Sequence, residues 1–208
     1  MIERRTFLRS LAGAASLVVL STSRSLAQAA PEQAVATIKS LCDALLEVMK
    51  QATQLGPQGR YKKLDPVIRR TYNLPLMTRL AIGPDWQKLS PGEQQQLIAA
   101  FSDYSIATYA QRFDGYSGEH FEVDPNPVPN SGGLLVDTKL VRSGGEAPVQ
   151  LNYLMRSGDA GWQIIDVYLS GTVSQLATQR SEFTSVIHRD GAAGLLNLLK
   201  QKVTDALK

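Results

Sequence analysis

Few side chains in this sequence are spaced for chemistry. The two histidines, His120 and His188, lie far apart and neither sits in a motif. There is no H-E-x-x-H pair, no G-x-S-x-G elbow, no Walker loop and no acidic cluster at metal-ligand spacing, so neither a metal nor a cofactor is expected. His188, followed by Arg189 near a helix end, reads as positive charge set against the helix dipole. The single cysteine, Cys42, excludes an internal disulfide and falls on an apolar helix position, which makes it a core residue. Asp166 alone stands out, because it interrupts the apolar run Ile164-Ile165-Asp166-Val167-Tyr168. A buried carboxylate there could serve as a general base with its pKa raised by desolvation. It could instead anchor structure by pairing with an arginine or accepting backbone N–H bonds. No histidine or tyrosine partner is identifiable for it, so we read Asp166 as a structural anchor and expect no catalytic residue.

The elements that would position these residues divide into helices, strands, then helices again. Val35, Ile38, Cys42, Leu45, Met49 and Ala52 recur at three- and four-residue steps, one stripe of a helix ending at Gly56-Pro57. Leu64 to Tyr72 and Leu74 to Ile82 read as shorter helices. Ser90-Pro91-Gly92-Glu93 is a capping box with proline at the first helical position, and its helix should run to about Phe113. Asp124 to Gly133, rich in proline, asparagine and glycine, reads as a loop. Glu119 to Val123, Leu134 to Arg142, Val149 to Arg156 and Trp162 to Leu169 read as strands joined by hairpin-length turns. Helix returns from Val173 to Ile187 and from Leu195 to Leu207, with Gly191 between. The expectation is an α+β fold: an antiparallel sheet of about four strands with helices packed on one face.

The N-terminus reads as an export signal. Arg4 and Arg5 precede an apolar run from Leu11 to Leu20, and small residues end at Ala27-Gln28-Ala29, which places a cleavage after Ala29. The run is far shorter than the roughly 18 residues of a membrane span. The arginine pair resembles a twin-arginine signal, with a Sec signal as the alternative. The expected organisation is residues 1–29 as leader and 30–208 as one domain. Of 22 basic and 19 acidic residues, the leader takes four arginines and one glutamate, which leaves 18 of each. The overall pI near 9.0 therefore belongs to the leader, and nucleic acid is not an expected partner.

Apolar side chains are abundant after the leader. Leu74, Leu76, Met77 and Leu80 cluster, Leu97, Phe101, Tyr104 and Tyr109 line the next helix, and strand alternation puts Val149, Leu151, Tyr153 and Met155 on one face. With Val167 and Val173 these are the candidate lining of an apolar pocket, though periodicity cannot separate a lining from a filled core.

Two stretches resemble a known family. The first is Leu80-Ala81-Ile82-Gly83-Pro84-Asp85-Trp86-Gln87-Lys88-Leu89-Ser90 with Phe101 and Tyr109. The second is Val149-x-Leu151-x-Tyr153 with Gly161-Trp162-Gln163-Ile164-Ile165-Asp166-Val167-Tyr168-Leu169-Ser170-Gly171-Thr172-Val173-Ser174. Both are similar to the MlaC family of periplasmic phospholipid carriers, the toluene-tolerance auxiliary proteins, and to its hopanoid-associated branch, HpnM. Ser170 stands where that family has an acidic residue, and Thr172 intrudes before Val173. The resemblance implies a helix-rich NTF2-like cone with a lipid cavity between sheet and helices and the head group outside. It implies a monomeric periplasmic carrier of phospholipid or a hopanoid-type lipid. Its implied partners are an inner-membrane ABC transporter complex and an outer-membrane lipoprotein–porin complex. Two alternatives remain: an isomerase or hydrolase using Asp166, and a membrane-surface protein resting on the Leu195 to Leu207 helix with Lys200, Lys202 and Lys208.

Overall fold

The computed structural model describes residues 22–208, with side chains from Pro31 onward. The basic start and apolar run of the expected leader lie outside the described residues. The elements are α1 (Thr22–Lys50), α2 (Ala52–Thr71), α3 (Leu74–Ile82), a 3-10 turn (Gly83–Lys88) and α4 (Pro91–Arg112). After them come β1 (His120–Val123), β2 (Val128–Asn130), β3 (Gly133–Val136), β4 (Thr138–Val141), β5 (Val149–Gly158), β6 (Gly161–Leu169), β7 (Val173–Ser174) and α5 (Gln175–Ala206). The helix across Ala27-Gln28-Ala29 is continuous with that of Val35.

The α+β class holds, but the sheet has seven strands where about four were expected. One of the expected strands, Leu134 to Arg142, is broken, and two short strands, β2 and β7, are added. β1 and β2 flank Asp124–Pro127, where prolines remove N–H donors, so the stretch read as a loop contributes β2. β3 and β4 form one path interrupted at Asp137, whose carbonyl accepts from the Asp124 N–H at 2.9 Å instead of continuing the ladder. β5 is the long central strand. It pairs along one edge with β3 (Val136↔Tyr153) and β4 (Leu140↔Val149), and along the other with β6 (Leu151↔Leu169, Tyr153↔Val167).

Local chemistry explains the helix ends. The Ser90 side chain accepts from the Glu93 N–H, and Glu93 accepts from the Ser90 N–H at 2.8 Å, the reciprocal bonds of a capping box. The expected break at Gly56-Pro57 is a kink inside α2, and that at Gly191 a kink inside α5. Both glycines take positive φ values, 61° and 69°, that cost a side-chain-bearing residue energy.

The core lies where α1 to α5 meet the sheet, with Ile38, Leu45, Leu64, Ile68, Phe101 and Phe183 fully buried. Phe101 of α4 meets Phe183 of α5 at 6.2 Å with perpendicular rings, an edge-to-face contact that fixes the spacing of those helices. Cys42 is buried among these residues, and burial pushes its thiol up to about 12.

Two polar devices tie the helices together. Arg60 is buried, and its Nε donates to the Ala110 carbonyl at 2.7 Å while Nη1 donates to the Ala52 carbonyl at 3.1 Å. Ala110 is in the last turn of α4, where carbonyls have no helical partner. Asp85, in the 3-10 turn, accepts from Lys88 Nζ at 2.7 Å and shares a 2.9 Å hydrogen bond with His188 Nε2 of α5.

Arg60→Met should destabilise the protein by about 2 kcal/mol or more, because two buried carbonyls lose charged donors. Urea denaturation checks this. The Lys88 hydrogen bond, then that of His188, holds the Asp85 carboxyl below its usual range. A carboxyl depressed in the fold stabilises it above the ordinary carboxylate pKa and loses that effect as pH falls through the lower folded value. Asp85→Asn should therefore lower stability at neutral pH, and the gap to the unsubstituted protein should close below about pH 4. A gap that persisted at pH 2 would refute it.

Candidate apolar cavity

A cavity of about 440 Å³ opens between the sheet and helices α4 and α5. Its size falls within the usual range of small-molecule pockets, about 300–1,000 Å³. The sheet supplies an apolar floor. Strand register places Leu140 opposite Val149, and Leu151 opposite Leu169, with Val167 on the next rung facing Tyr153. Leu140, Val149, Leu151, Val167 and Leu169 line the cavity together.

The α4 wall is mixed. Tyr104, Ser105, Thr108, Tyr109 and Arg112 follow one another at helical spacing and all line the cavity. The hydroxyls of Ser105 and Thr108 donate back to the carbonyls of Phe101 and Tyr104, each at 2.8 Å. Their donors are thus satisfied within the helix, and the face they present is less polar than their residue types suggest. The facing wall is the first two turns of α5: Gln175, Leu176, Thr178, Gln179 and Glu182.

Aromatic rings close one end. Tyr109 stacks on Phe113 at 5.6 Å, Phe113 meets Phe121 at 6.3 Å, and Tyr72 meets Tyr109 edge-on at 5.7 Å. The Tyr72 and Tyr109 hydroxyls hydrogen-bond to each other. Burial raises the Tyr109 hydroxyl to about 12 and that of Tyr72 well above its ordinary value, so both stay neutral. Tyr153 is fully buried beside them, and its hydroxyl makes no hydrogen bond of normal geometry among the described residues.

Asp166 fixes the α5 wall to the sheet. Its Oδ1 accepts from the Val167 N–H at 2.7 Å and the Leu176 N–H at 3.1 Å, while Oδ2 accepts from the Ser174 hydroxyl at 2.5 Å. Ser174 in turn caps α5 by accepting from the Ala177 N–H at 2.9 Å. One carboxylate thereby joins β6, β7 and the start of α5, and its negative charge sits against a helix N-terminus.

The structure brings six of the candidate lining residues to the cavity: Met77, Tyr104, Tyr109, Val149, Leu151 and Val167. Leu74, Leu97, Phe101, Tyr153 and Met155 are packed into the core instead. Leu97 and Phe101 sit on the stripe of α4 that meets its neighbouring helices, one step around from the cavity face. Leu76 is half-buried, and Leu80 and Val173 are exposed at 37% and 51%. At β7 it is Ser174, not Val173, that bonds inward. A search for apolar types misses Ser105, Thr108, Arg112, Arg142 and the polar residues of α5. The spacing Ser105–Thr108–Tyr109–Arg112 around the named Tyr109 is the signal that could have found the first three.

Among the described residues no three histidine, cysteine, aspartate or glutamate side chains converge as a metal site, and no helix is long and apolar enough to cross a membrane.

A family model described as MlaC protein matches residues 39–201. The fold is similar to that of a phospholipid-binding protein from Ralstonia solanacearum, solved in complex with a phospholipid, at a TM-score of 0.72 and 25% identity. The match covers 85% of this chain and 99% of that one. No curated protein sequence matches the chain.

Asp166→Asn should destabilise the fold by about 1–3 kcal/mol, since an amide cannot accept all three of these bonds. For a chain of this size that is a fall in Tm of about 2–4 °C per kcal/mol. An unchanged Tm by calorimetry would contradict the anchor role.

Proposed function

The chain belongs to the MlaC family, and from that premise we propose that it is a periplasmic carrier that holds phospholipid by its acyl chains. The observation that carries this reading is the cavity, apolar along the sheet and walled by α4 and α5. A two-chain lipid in water exposes on the order of 30 methylenes at ~0.8 kcal/mol each, more than 20 kcal/mol in total. A shielded pocket removes most of that cost without catalysis. The saturated hydrogen bonding of Asp166 supports the anchor role over a general base.

Under this reading residues 1–29 are an export signal removed after Ala29, and the partners are an inner-membrane ABC transporter complex and an outer-membrane lipoprotein–porin complex. Tight shielding makes spontaneous release slow, so hand-off needs an acceptor that binds the opened state more strongly than the closed one. The chain acts as a monomer. A hopanoid-type lipid, the cargo of an HpnM-like protein, is the second ligand class, and the same cavity chemistry supports it.

Protein expressed in a Gram-negative host should carry phospholipid at near-stoichiometric level, read by solvent extraction and mass spectrometry. Thr108→Trp, which fills the cavity from the α4 wall, should lower that content about tenfold, equivalent to about 1.4 kcal/mol of binding. Circular dichroism should remain unchanged. Recovery of triterpenoid in place of phospholipid, from a host that makes it, would assign the second class. Lipid-free protein from both hosts would refute the carrier reading.

A further inference from the structure

The resemblance leaves the lipid head group in solvent, yet the cavity is not uniformly apolar. Two arginines from different layers line it: Arg112, in the last turn of α4, and Arg142, just after β4. Resting on the carrier reading, we propose that Arg112 and Arg142 form a phosphate clamp at the cavity mouth. The clamp makes the protein select lipids with a phosphodiester head group over neutral lipids with the same chains.

Both arginines are exposed, so their guanidinium groups meet water and ligand at the rim, while Leu140, Val149 and Leu151 line the apolar interior. Guanidinium and phosphate match in geometry as well as charge, since paired N–H donors meet paired oxygens. Arg112 has no ion-pair partner among the described residues. Its position at a helix C-terminus satisfies the dipole but leaves its donors free. Arg142 is paired with Glu146 at 2.8 Å, with 45% and 65% of the two side chains exposed. An exposed pair of this kind contributes little, so turning Arg142 from Glu146 to an incoming phosphate costs little.

The other charges on the lining agree with the proposal. Glu182 would repel a phosphate, but it is held by Lys202 Nζ at 2.9 Å. Asp166 has its oxygens committed to the start of α5. The acidic groups of the lining are thus already bonded, while the donors of Arg112 are free among the described residues and those of Arg142 are held only by an exposed pair. The side-chain amides of Gln175 and Gln179 lie on the α5 wall. Their N–H groups supply donors for the ester oxygens between phosphate and chains, whereas the Ser105 and Thr108 donors are committed within α4. The Gln179 side-chain oxygen is buried without a partner among the described residues, an acceptor that a hydroxyl or ammonium of the head group would satisfy.

The test uses delipidated mature protein and phosphatidylglycerol, phosphatidylethanolamine or diacylglycerol, each presented in micelles of a non-ionic alkyl glycoside that carries no phosphate. Uptake of each labelled lipid is measured for the unsubstituted protein, R112Q, R142Q and the double variant. Each single substitution should weaken phospholipid uptake about tenfold and the double about a hundredfold, while diacylglycerol uptake stays constant throughout. R142K should restore uptake only in part, since an ammonium keeps the charge and loses the fork. Equal uptake of diacylglycerol and phospholipid by the unsubstituted protein would overturn the clamp and leave the carrier reading standing. So would a double variant that keeps its preference. Uptake of no lipid by the unsubstituted protein would overturn both.

Discussion

A domain of this size must keep about 440 Å³ unfilled between its sheet and its helices, and the rest of the structure answers to that constraint. Protein interiors pack as densely as organic crystals. The space is partly open, so it holds water when it holds no ligand, and its apolar walls then stay wet instead of burying one another. Such a space persists only if something occupies it and if its walls are braced against collapse.

The bracing is visible in contacts around the cavity and along its lining. The Phe101–Phe183 contact sets the distance between the two helical walls from the core side. Asp166 sets where the α5 wall begins relative to the sheet. Arg60 holds the last turn of α4 to the kinked start of α2, so the end of α4 that carries Arg112 and Phe113 is fixed. The aromatic row from Tyr72 to Phe121 closes one end with rings that cannot fold into the space without losing one another. None of these groups needs to touch a ligand to decide whether the cavity exists.

How much of this was legible in the sequence depends on how local each signal is. The capping box at Ser90 and the strands beginning at Val149 and Trp162 are written in a few adjacent residues, and the structure has them. The role of Asp166 was legible in kind, as a carboxylate inside an apolar strand, but its partners Leu176 and Ser174 were not, since they depend on the turn that returns the chain to the sheet. The break at Asp137 was missed because a broken strand keeps its alternation on either side, and β2 was missed because its three residues lie inside a proline-rich stretch. The lining was the least legible part. Leu97 and Tyr104 look alike to a periodicity argument, yet the first packs against helices and the second faces the space. The α5 wall was missed because, Leu176 apart, its cavity-facing residues are polar, and a search for an apolar pocket passes over Gln175, Gln179 and Glu182.

Cys42 has a practical consequence for anyone who works with this molecule. It is the chain's single thiol, and at a pKa pushed to about 12 by burial it is almost wholly protonated at neutral pH. Alkylating and fluorescent maleimide reagents act on the thiolate, so the native protein is close to silent toward them. A second cysteine engineered at the surface would then be the one reactive position, with no need to remove the first and disturb the core around it. The fold thus comes ready for site-selective attachment of a spectroscopic label.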